Sequence, residues 1–453
     1  MQAPTSAINS PAPQTPSTPR PIRAAATLLV LRDGRDGLEV LLLRRAEKAN
    51  DQNSGASVFP GGMLDAHDRS LHGHCTGLDD TTASARLSVS AGGLDYYAAA
   101  VRECFEEAGV LFASDASGKS IDLAALPAQE LDAMRHAAAQ GTDALLALCD
   151  QRGWRLAVDR LAYFAHWLTP PGMPRRFDTR FFAALMPPAQ VVSEDGLETV
   201  EHMWLRPADA LAPARGLKLM NVTRRILQQL DAFGSAGDCL AHARSLQQIP
   251  LNMPRLAQGP QGQRAVNIEE PAYEELGHVD PDGQCTGRYA LEAGLAMRLS
   301  PQVWRVTDSA DGTPTAPGLN SYFIGEAGGD CALIDPMPAG SAHFAALRSA
   351  APGPVRWILS TGPRGSLDAA TVEGLRAAWP EARPLQASTD EVLKVGGTTI
   401  RAVVDAEDAD ALAFLLVEER LLFTGSGATV PAHMRDSVDW IVPAQGFMRR
   451  RAR

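Results

Sequence analysis

Arg102-Glu103-Cys104-Phe105-Glu106-Glu107-Ala108-Gly109-Val110 is the stretch that decides how this chain is read. At about 100° per residue, Tyr97, Val101, Cys104, Phe105 and Ala108 collect on one face of a helix, and Glu103, Glu106 and Glu107 on the other. One side packs, and the other is expected to present three carboxylates to solvent. Gly109 suits the helix end, where a left-handed backbone costs glycine least. Carboxylates three and four positions apart repel, weakening a helix by about 0.2–0.5 kcal/mol per pair, and a bound cation reverses that sign. Oxygen-only ligands favour a hard ion, Mg²⁺ or Mn²⁺ in its place. A solvated acidic face is the alternative reading of the same residues.

Working outward, the apolar runs Ala24 to Leu31 and Leu38 to Leu43 flank the turn Asp33-Gly34-Arg35-Asp36-Gly37 and predict a β-hairpin. A polar loop, the turn Phe59-Pro60-Gly61-Gly62 and a second polar stretch lead to the carboxylate helix, expected from about Asp95 to Ala108. Alternation at Leu161 to Leu168, Phe181 to Met186 and Val200 to Leu205 predicts further strands, and Val222 to Phe233 a closing helix. The fold class is α/β (α+β). A tail over 1–22, rich in Pro, Ser, Thr and Ala, precedes a domain over 23–235. Residues 236–290 lack a sustained period and are expected to be a linker. A second mixed segment, 291–440, has apolar strands at Tyr322 to Ile324, Ala332 to Ile334, Trp357 to Leu359 and Phe414 to Val417, and a basic tail follows over 441–453.

The 453 residues exceed one ordinary core, and 45% hydrophobic with 21% charged residues is the balance of a globular protein. A net charge of −11 repels polyanions, which argues against nucleic acid or an acidic membrane as partner. The six cysteines show no zinc or redox spacing and read as reduced cytoplasmic thiols. No apolar run approaches the roughly 20 residues of a membrane span. Arg20 and Arg23 in an acid-free start suit a transit peptide, but the prolines oppose an amphipathic helix, and a disordered tail is preferred.

The order Arg-Glu-apolar-x-Glu-Glu-x-Gly-apolar resembles the second half of the Nudix box. In that family a glycine, five residues, a glutamate and seven more residues lead to the Arg-Glu pair. Here Gly62 precedes Arg102 by 40 positions, where the pattern expects about 14. An insertion is therefore placed at about 63–93. Counting back from Arg102, Leu94 falls where the family glutamate belongs, so that acid is expected to be missing or replaced by Asp95 or Asp65. The split box, Leu41 to Ala46, Val58 to Gly62, and Arg175-Arg176-Phe177-Asp178-Thr179-Arg180-Phe181-Phe182 all look like the insertion-bearing branch that includes peroxisomal coenzyme A diphosphatases.

That resemblance implies an α/β/α sandwich in which Glu103, Glu106 and Glu107 hold the metal and the Gly61-Gly62 backbone approaches the diphosphate. Arg102, one turn before Glu106, orients the carboxylates. Glu201, with Glu198, is a candidate base, and Arg175, Arg176 and Arg180 are candidate phosphate ligands; surface acids and local ion pairs are the alternatives. The coenzyme A signature of other Nudix enzymes is matched only in outline, with Asn50 or Asp51 where an arginine belongs and Gly55 displaced by one residue. His72, His74 and Cys75 have metal-like spacing but no fourth ligand nearby, and a polar loop is the preferred reading.

Gly318 to Gly325, Leu333-Ile334-Asp335-Pro336 and Trp357 to Thr361 resemble the opening strands of the metallo-β-lactamase αββα fold. Its metal motif is replaced by Gly362-Pro363-Arg364-Gly365-Ser366-Leu367, and Glu407 and Ser426 stand where a histidine and the bridging aspartate belong, which implies a metal-free structural, regulatory or binding domain. The whole predicts a Mg²⁺-dependent diphosphatase acting on a small nucleotide derivative such as coenzyme A or acyl-coenzyme A. The alternative is a non-catalytic ligand-binding or regulatory protein that keeps a Nudix shell.

Overall fold

The computed structural model describes residues 21–47, 53–309, 317–336, 342–362, 367, 369–385, 391–404, 412–425 and 430–452, with the side chains of 142, 317 and 370 left aside. The tail over 1–20, Asn50, Asp51, Glu407, Ser426 and 363–366 lie outside them. Two compact units result, one ending at Met253 and one beginning at Pro254, with Pro170–Gly172 joining the second.

In the first unit the hairpin is β1 (Ile22–Gly34) and β2 (Gly37–Arg45), followed by the short β3 (Ser57–Val58) and β4 (Gly61–Met63). Next come a 3-10 turn at Asp68–His74, α1 (Asp80–Leu87), α2 (Gly93–Ala108), β5 (Ala113–Ser114), α3 (Ala128–Ala138), α4 (Thr142–Arg152) and β6 (Arg155–Leu156). The unit closes with β7 (Ala162–Leu168), β8 (Arg176–Leu185), β9 (Thr199–Leu205), α5 (Pro207–Leu211), α6 (Asn221–Leu230), α7 (Ala236–Ser245) and β10 (Leu251–Asn252). The main sheet runs β10-β7-β8-β1-β2-β3, with β4 on β1 and β9 on β2. Because strand side chains alternate, Ala26, Leu28 and Val30 of β1 face α2, and Leu29 and Leu31 face α6 and α7. The result is the α/β/α sandwich.

The inserted stretch is part of this core. Leu71, Ala83 and Leu87 are buried in it. Asp80 of α1 accepts from the backbone N–H groups of Gly92 (3.1 Å) and Leu94 (2.9 Å), and Ser84 Oγ accepts from Gly93 N–H (2.9 Å). These bonds satisfy the free donors at the start of α2. A Cβ on Gly93 would lie 2.2 Å from Ser84 N, so only glycine lets α1 dock this closely. The Leu94 and Gly92 donors hold the Asp80 carboxyl below its usual range. Asp80→Ala is expected to cost about 1 kcal/mol, read as a lower denaturant midpoint at unchanged slope.

In the second unit β11 (Arg255–Ala257) pairs with β12 (Arg264–Val266), and α8 (Tyr273–Val279) covers them. Then follow β13 (Ala296–Ser300), β14 (Val303–Ser309), β15 (Pro317–Gly325), β16 (Cys331–Ile334), α9 (Ala342–Ala350), β17 (Val355–Leu359), α10 (Ala369–Ala378) and β18 (Arg383–Pro384). The second sheet is β19 (Val392–Val395), β20 (Thr398–Val404), β21 (Leu412–Leu416), β22 (Leu421–Thr424), β23 (Trp440–Pro443) and β24 (Arg449–Arg450). Each sheet runs in chain order. Tyr322, Ile324, Phe414 and Phe423 share one core between the sheets, α9 and α10 pack on the outer face of the first, and the 3-10 turn Ala432–Ser437 packs on the second. This is the layered αββα arrangement.

Two segments differ from the sequence prediction. The expected linker over 236–290 is structured: α7 buries Ala236, Cys239, Leu240 and Ala243 in the first unit, and α8 anchors the second. Glu275 of α8 forms a two-pronged, almost fully buried ion pair with Arg305 of β14 (2.6 and 2.9 Å). Elements this short carry too few residues to show a period. The expected basic tail also folds back: Met448 is fully buried, its N–H donates to Glu275 (2.8 Å), and Arg449 and Arg450 pair with Ile441 and Trp440.

Candidate active site

Helix α2 sets Glu103, Glu106 and Glu107 on consecutive turns, and β4 lies across them. In register Ala26 pairs with Gly62, and Thr27 with Gly61. Gly61 N–H donates to Glu107 Oε2 at 2.9 Å. A Cβ on Gly62 would sit 2.6 Å from the Glu103 carboxyl, and one on Gly61 2.5 Å from the Ala26 carbonyl oxygen. Both glycines are therefore required for the strand to pass between β1 and the carboxylates. The two halves of the motif, 40 residues apart in sequence, meet here.

Arg102 ties the site together from below. It is 6% exposed; Nη1 donates to Glu103 (2.9 Å) and Glu106 (3.3 Å), and Nη2 to the Met63 carbonyl (3.0 Å). Its remaining donors go to Asp68 at 2.9 and 3.2 Å, a carboxylate with no exposed surface. Asp68 is the structural acid, not Asp65 or Asp95. Asp65 instead receives His67, and Asp95 receives His72 (2.7 Å) and Arg69 (3.2 Å). The signal was present in the sequence. Counting forward from Gly62, a glycine and five residues lead to position 68, so the extra chain enters after the acid and not before it.

Burial dominates the electrostatics, and Glu107 does not face solvent as the helical wheel suggests. It is 6% exposed, and burial pushes its carboxyl up to about 8, against the Gly61 hydrogen bond and with the Glu103 charge. Burial likewise pushes Glu106 up to about 7, with Arg102 opposing, and raises Glu103. Burial disfavours the Arg102 charge, but the Asp68 hydrogen bond and the Glu103 and Glu106 charges hold the guanidinium protonated all the more firmly. Three carboxyl groups, those of Asp68, Glu103 and Glu106, thus surround one buried cation.

Among the described residues no three Asp, Glu, His or Cys side chains converge as a metal-binding group. The three glutamates are therefore not a preformed cage, because Glu107 is turned onto Gly61. Glu103 and Glu106 do converge, sharing Arg102 Nη1. Two converging carboxylates with surplus negative charge fit Mg²⁺, which takes one or two protein carboxylates and completes its shell with water and phosphate oxygens.

The remaining candidates separate. Glu198 is exposed, and its charge raises both Glu103 and Glu107. Glu201 is engaged by Arg44 at 2.9 Å. Arg45, not anticipated as a site residue, favours the ionised form of Glu107. Arg175 is exposed, and Arg176 Nε donates to the Thr169 carbonyl (3.0 Å). Arg180 is 3% exposed and paired with Asp178 and His166, so it is not a free phosphate clamp. Its register with Ala26 turns it to the α2 side of the sheet, where a cation must be paired. His72 and His74 hold different acids, Asp95 and Asp150, and share no ligand position with Cys75, whose thiol points at the Leu71 carbonyl.

Comparison with known proteins adds the following. Residues 80–218 match the family model described as the NUDT19 Nudix domain. The acyl-coenzyme A diphosphatase NUDT19 of Gallus gallus is 29% identical over 211 residues, 38% of this chain and 55% of that protein. Its Homo sapiens counterpart is 31% identical over 207 residues, 39% of this chain and 55% of that protein. The chain spans about half the length of the curated relatives it matches. A NUDIX hydrolase structure from Alicyclobacillus acidocaldarius is 29% identical, covering 49% of this chain and 96% of its own, with a TM-score of 0.42. The matched stretch holds Glu103, Glu106, Glu107 and Arg102 and is similar to Nudix domains of the coenzyme A diphosphatase branch; Gly61, Gly62 and Asp68 precede it.

Proposed function

We propose that the first unit hydrolyses the diphosphate linkage of a coenzyme A-type nucleotide derivative. The observation that carries this is the contact of the Gly61-Gly62 strand with Glu103 and Glu107, which puts a backbone free of Cβ atoms beside a carboxylate cluster. Glu103 and Glu106 would hold a divalent cation, Mg²⁺ or Mn²⁺, with Glu107 as a third donor. Such an ion, when bound, polarises phosphoryl oxygens and lowers the pKa of water. The chain's own residues supply the rest. The Gly61-Gly62 backbone leaves room for a diphosphate, Arg102 and Asp68 fix the carboxylates, and Arg45, whose charge favours the ionised form of Glu107, would supply positive charge toward a phosphate. Glu198 accepts the proton of the attacking water, in preference to Glu201, which Arg44 neutralises. The substrate class rests on the family match and on the relatives' names. The second unit is proposed as a metal-free domain with a structural or binding role. The proposed location is the cytoplasm; the six cysteines are free thiols, and among the described residues no helix is long and apolar enough to cross a membrane.

Incubation of the full chain and Mg²⁺ with coenzyme A, acyl-coenzyme A, NADH, ADP-ribose and nucleoside triphosphates tests this. Turnover of the coenzyme A compounds is expected, and turnover of triphosphates alone would defeat the substrate assignment. No turnover at all would favour a ligand-binding protein.

A pH dependence also follows. The usual glutamate value is 4.5, and burial raises Glu106 to about 7 and Glu107 to about 8, so between these values the folded chain binds more protons than the unfolded one. Stability without metal therefore falls as pH rises from about 4.5 to about 8. A divalent cation competes with those protons, so its affinity and its stabilisation grow over the same interval. Thermal unfolding at pH 6 and pH 8.5, with and without Mg²⁺, should show a larger Mg²⁺-induced shift at pH 8.5; an equal shift at both values would count against these ligands.

A further inference from the structure

The last four carbonyls of an α-helix have no partner within it, and in α2 those belong to the turn that carries Glu106 and Glu107. Here all four are taken. Phe105 O accepts from Gly109 N–H (3.0 Å) and from Arg135 Nε (3.3 Å), and Glu106 O from Arg135 Nη2 (3.1 Å). Glu107 O accepts from Thr199 Oγ (3.1 Å), and Ala108 O from Ser193 N–H (3.0 Å). Arg135 also reaches the segment that supplies those last two donors, because Nη1 donates to Ser193 Oγ (2.8 Å) and to the Glu194 carbonyl (3.3 Å). It is 6% exposed. The same segment is held internally by Asp195, whose carboxylate accepts from the backbone of Leu197, Glu198 and Thr199. Gly109 completes the joint: its φ is 68°, and a Cβ there would lie 2.9 Å from Ser193 Oγ.

We infer that Arg135 is a positioning residue for the proposed reaction, clamping the C-terminal turn of α2 to the 193–199 loop and so holding the loop that carries Glu198, the proposed base, against the helix that carries Glu103 and Glu107. Its guanidinium bonds two helix carbonyls and two loop acceptors from outside both segments, beside the Thr199 hydroxyl, which ties Glu107 O to the loop from within. A cation at a helix C-terminus is favoured in its own right, so capping alone would explain its presence but not its two further bonds to Ser193 and Glu194. Among the described residues, loss of Arg135 leaves only the Ser193 N–H and Thr199 Oγ bonds between helix and loop, and loosens the loop while removing neither the Glu103 and Glu106 carboxylates nor the Gly61-Gly62 strand. The effect therefore falls on the rate of the chemical step and not on substrate binding.

This inference rests on the diphosphatase reading, and one experiment separates the two. Steady-state hydrolysis of coenzyme A with Mg²⁺ is measured for the full chain, Arg135→Met, Arg135→Ala with and without added guanidinium, and Ser193→Ala. Arg135→Met is expected to lower kcat about 10- to 100-fold with KM within about 3-fold, and guanidinium to restore much of the rate to Arg135→Ala. Ser193→Ala, which removes the shorter of the two bonds from Arg135 to the loop and leaves the one to the Glu194 carbonyl, should lower kcat about 3-fold or more and leave the unfolding midpoint nearly unchanged. If Arg135→Met does not fold, Ser193→Ala decides. Unchanged kcat in Ser193→Ala, or in a folded Arg135→Met, would overturn the positioning role while leaving the diphosphatase reading intact. Absence of turnover by the unaltered chain would overturn both.

Discussion

Glu107→Gln is expected to lower kcat on the order of 100- to 1,000-fold while making the metal-free protein more stable, not less. The amide keeps an oxygen that can accept the Gly61 N–H bond of 2.9 Å, so β4 stays where it is. What is lost is a charge. Burial pushes the Glu107 carboxyl up to about 8 from 4.5, so the folded state pays increasingly for ionisation as pH rises through that interval, and glutamine carries no such cost. The stability advantage of the variant should therefore grow between about pH 5 and pH 8, in the direction opposite to its activity. A solvated surface acid would show neither effect. Unchanged turnover, or a variant that loses stability in step with activity, would remove Glu107 from the site. Double variants with Glu103→Gln should be far from additive, since both act on one centre.

Asp68→Ala should be the most damaging single change to the fold of the first unit, at about 3–5 kcal/mol, because it leaves the buried Arg102 without its main counter-charge. Asp68 has no exposed surface and takes two of the Arg102 donors, at 2.9 and 3.2 Å. Asp65→Ala breaks an exposed pair with His67 and should cost about 1 kcal/mol or less, and Asp95→Ala, whose partners His72 and Arg69 are partly or largely exposed, should cost less than Asp68→Ala. Chemical denaturation of the three variants gives the ranking directly. Equal losses for Asp65 and Asp68 would contradict the assignment of the structural acid.

What could be read in advance followed from periodicity and local chemistry. The alternation of β1 and β2, the apolar stripe of α2 and the glycine at its end are properties of neighbouring residues, and the hairpin, the helix and the left-handed turn at Gly109 all stand where they were expected. What could not be read depended on distant residues. The burial of Glu107 comes from β4 lying over it, and a helical wheel has no term for a strand 46 residues away. Arg180 looked like a phosphate ligand because its stretch is basic, but its pairing with Ala26 directs it to the α2 side, where Asp178 and His166 receive it. Arg135 carried no signal at all: its importance lies in the carbonyls it meets, which belong to the backbone of residues 29 and 30 positions earlier. Asp68 is the intermediate case, legible by counting from the glycines and hidden when counting from Arg102.

The measurement that bears most directly on the central claim is product identification by mass spectrometry after incubating the full chain with coenzyme A and Mg²⁺ in ¹⁸O-labelled water. The account predicts phosphopantetheine and adenosine 3′,5′-bisphosphate, with one ¹⁸O atom in one of the two products, and no products from the Glu107→Gln variant over the same interval. Intact coenzyme A, or loss of only its 3′-phosphate, would contradict it.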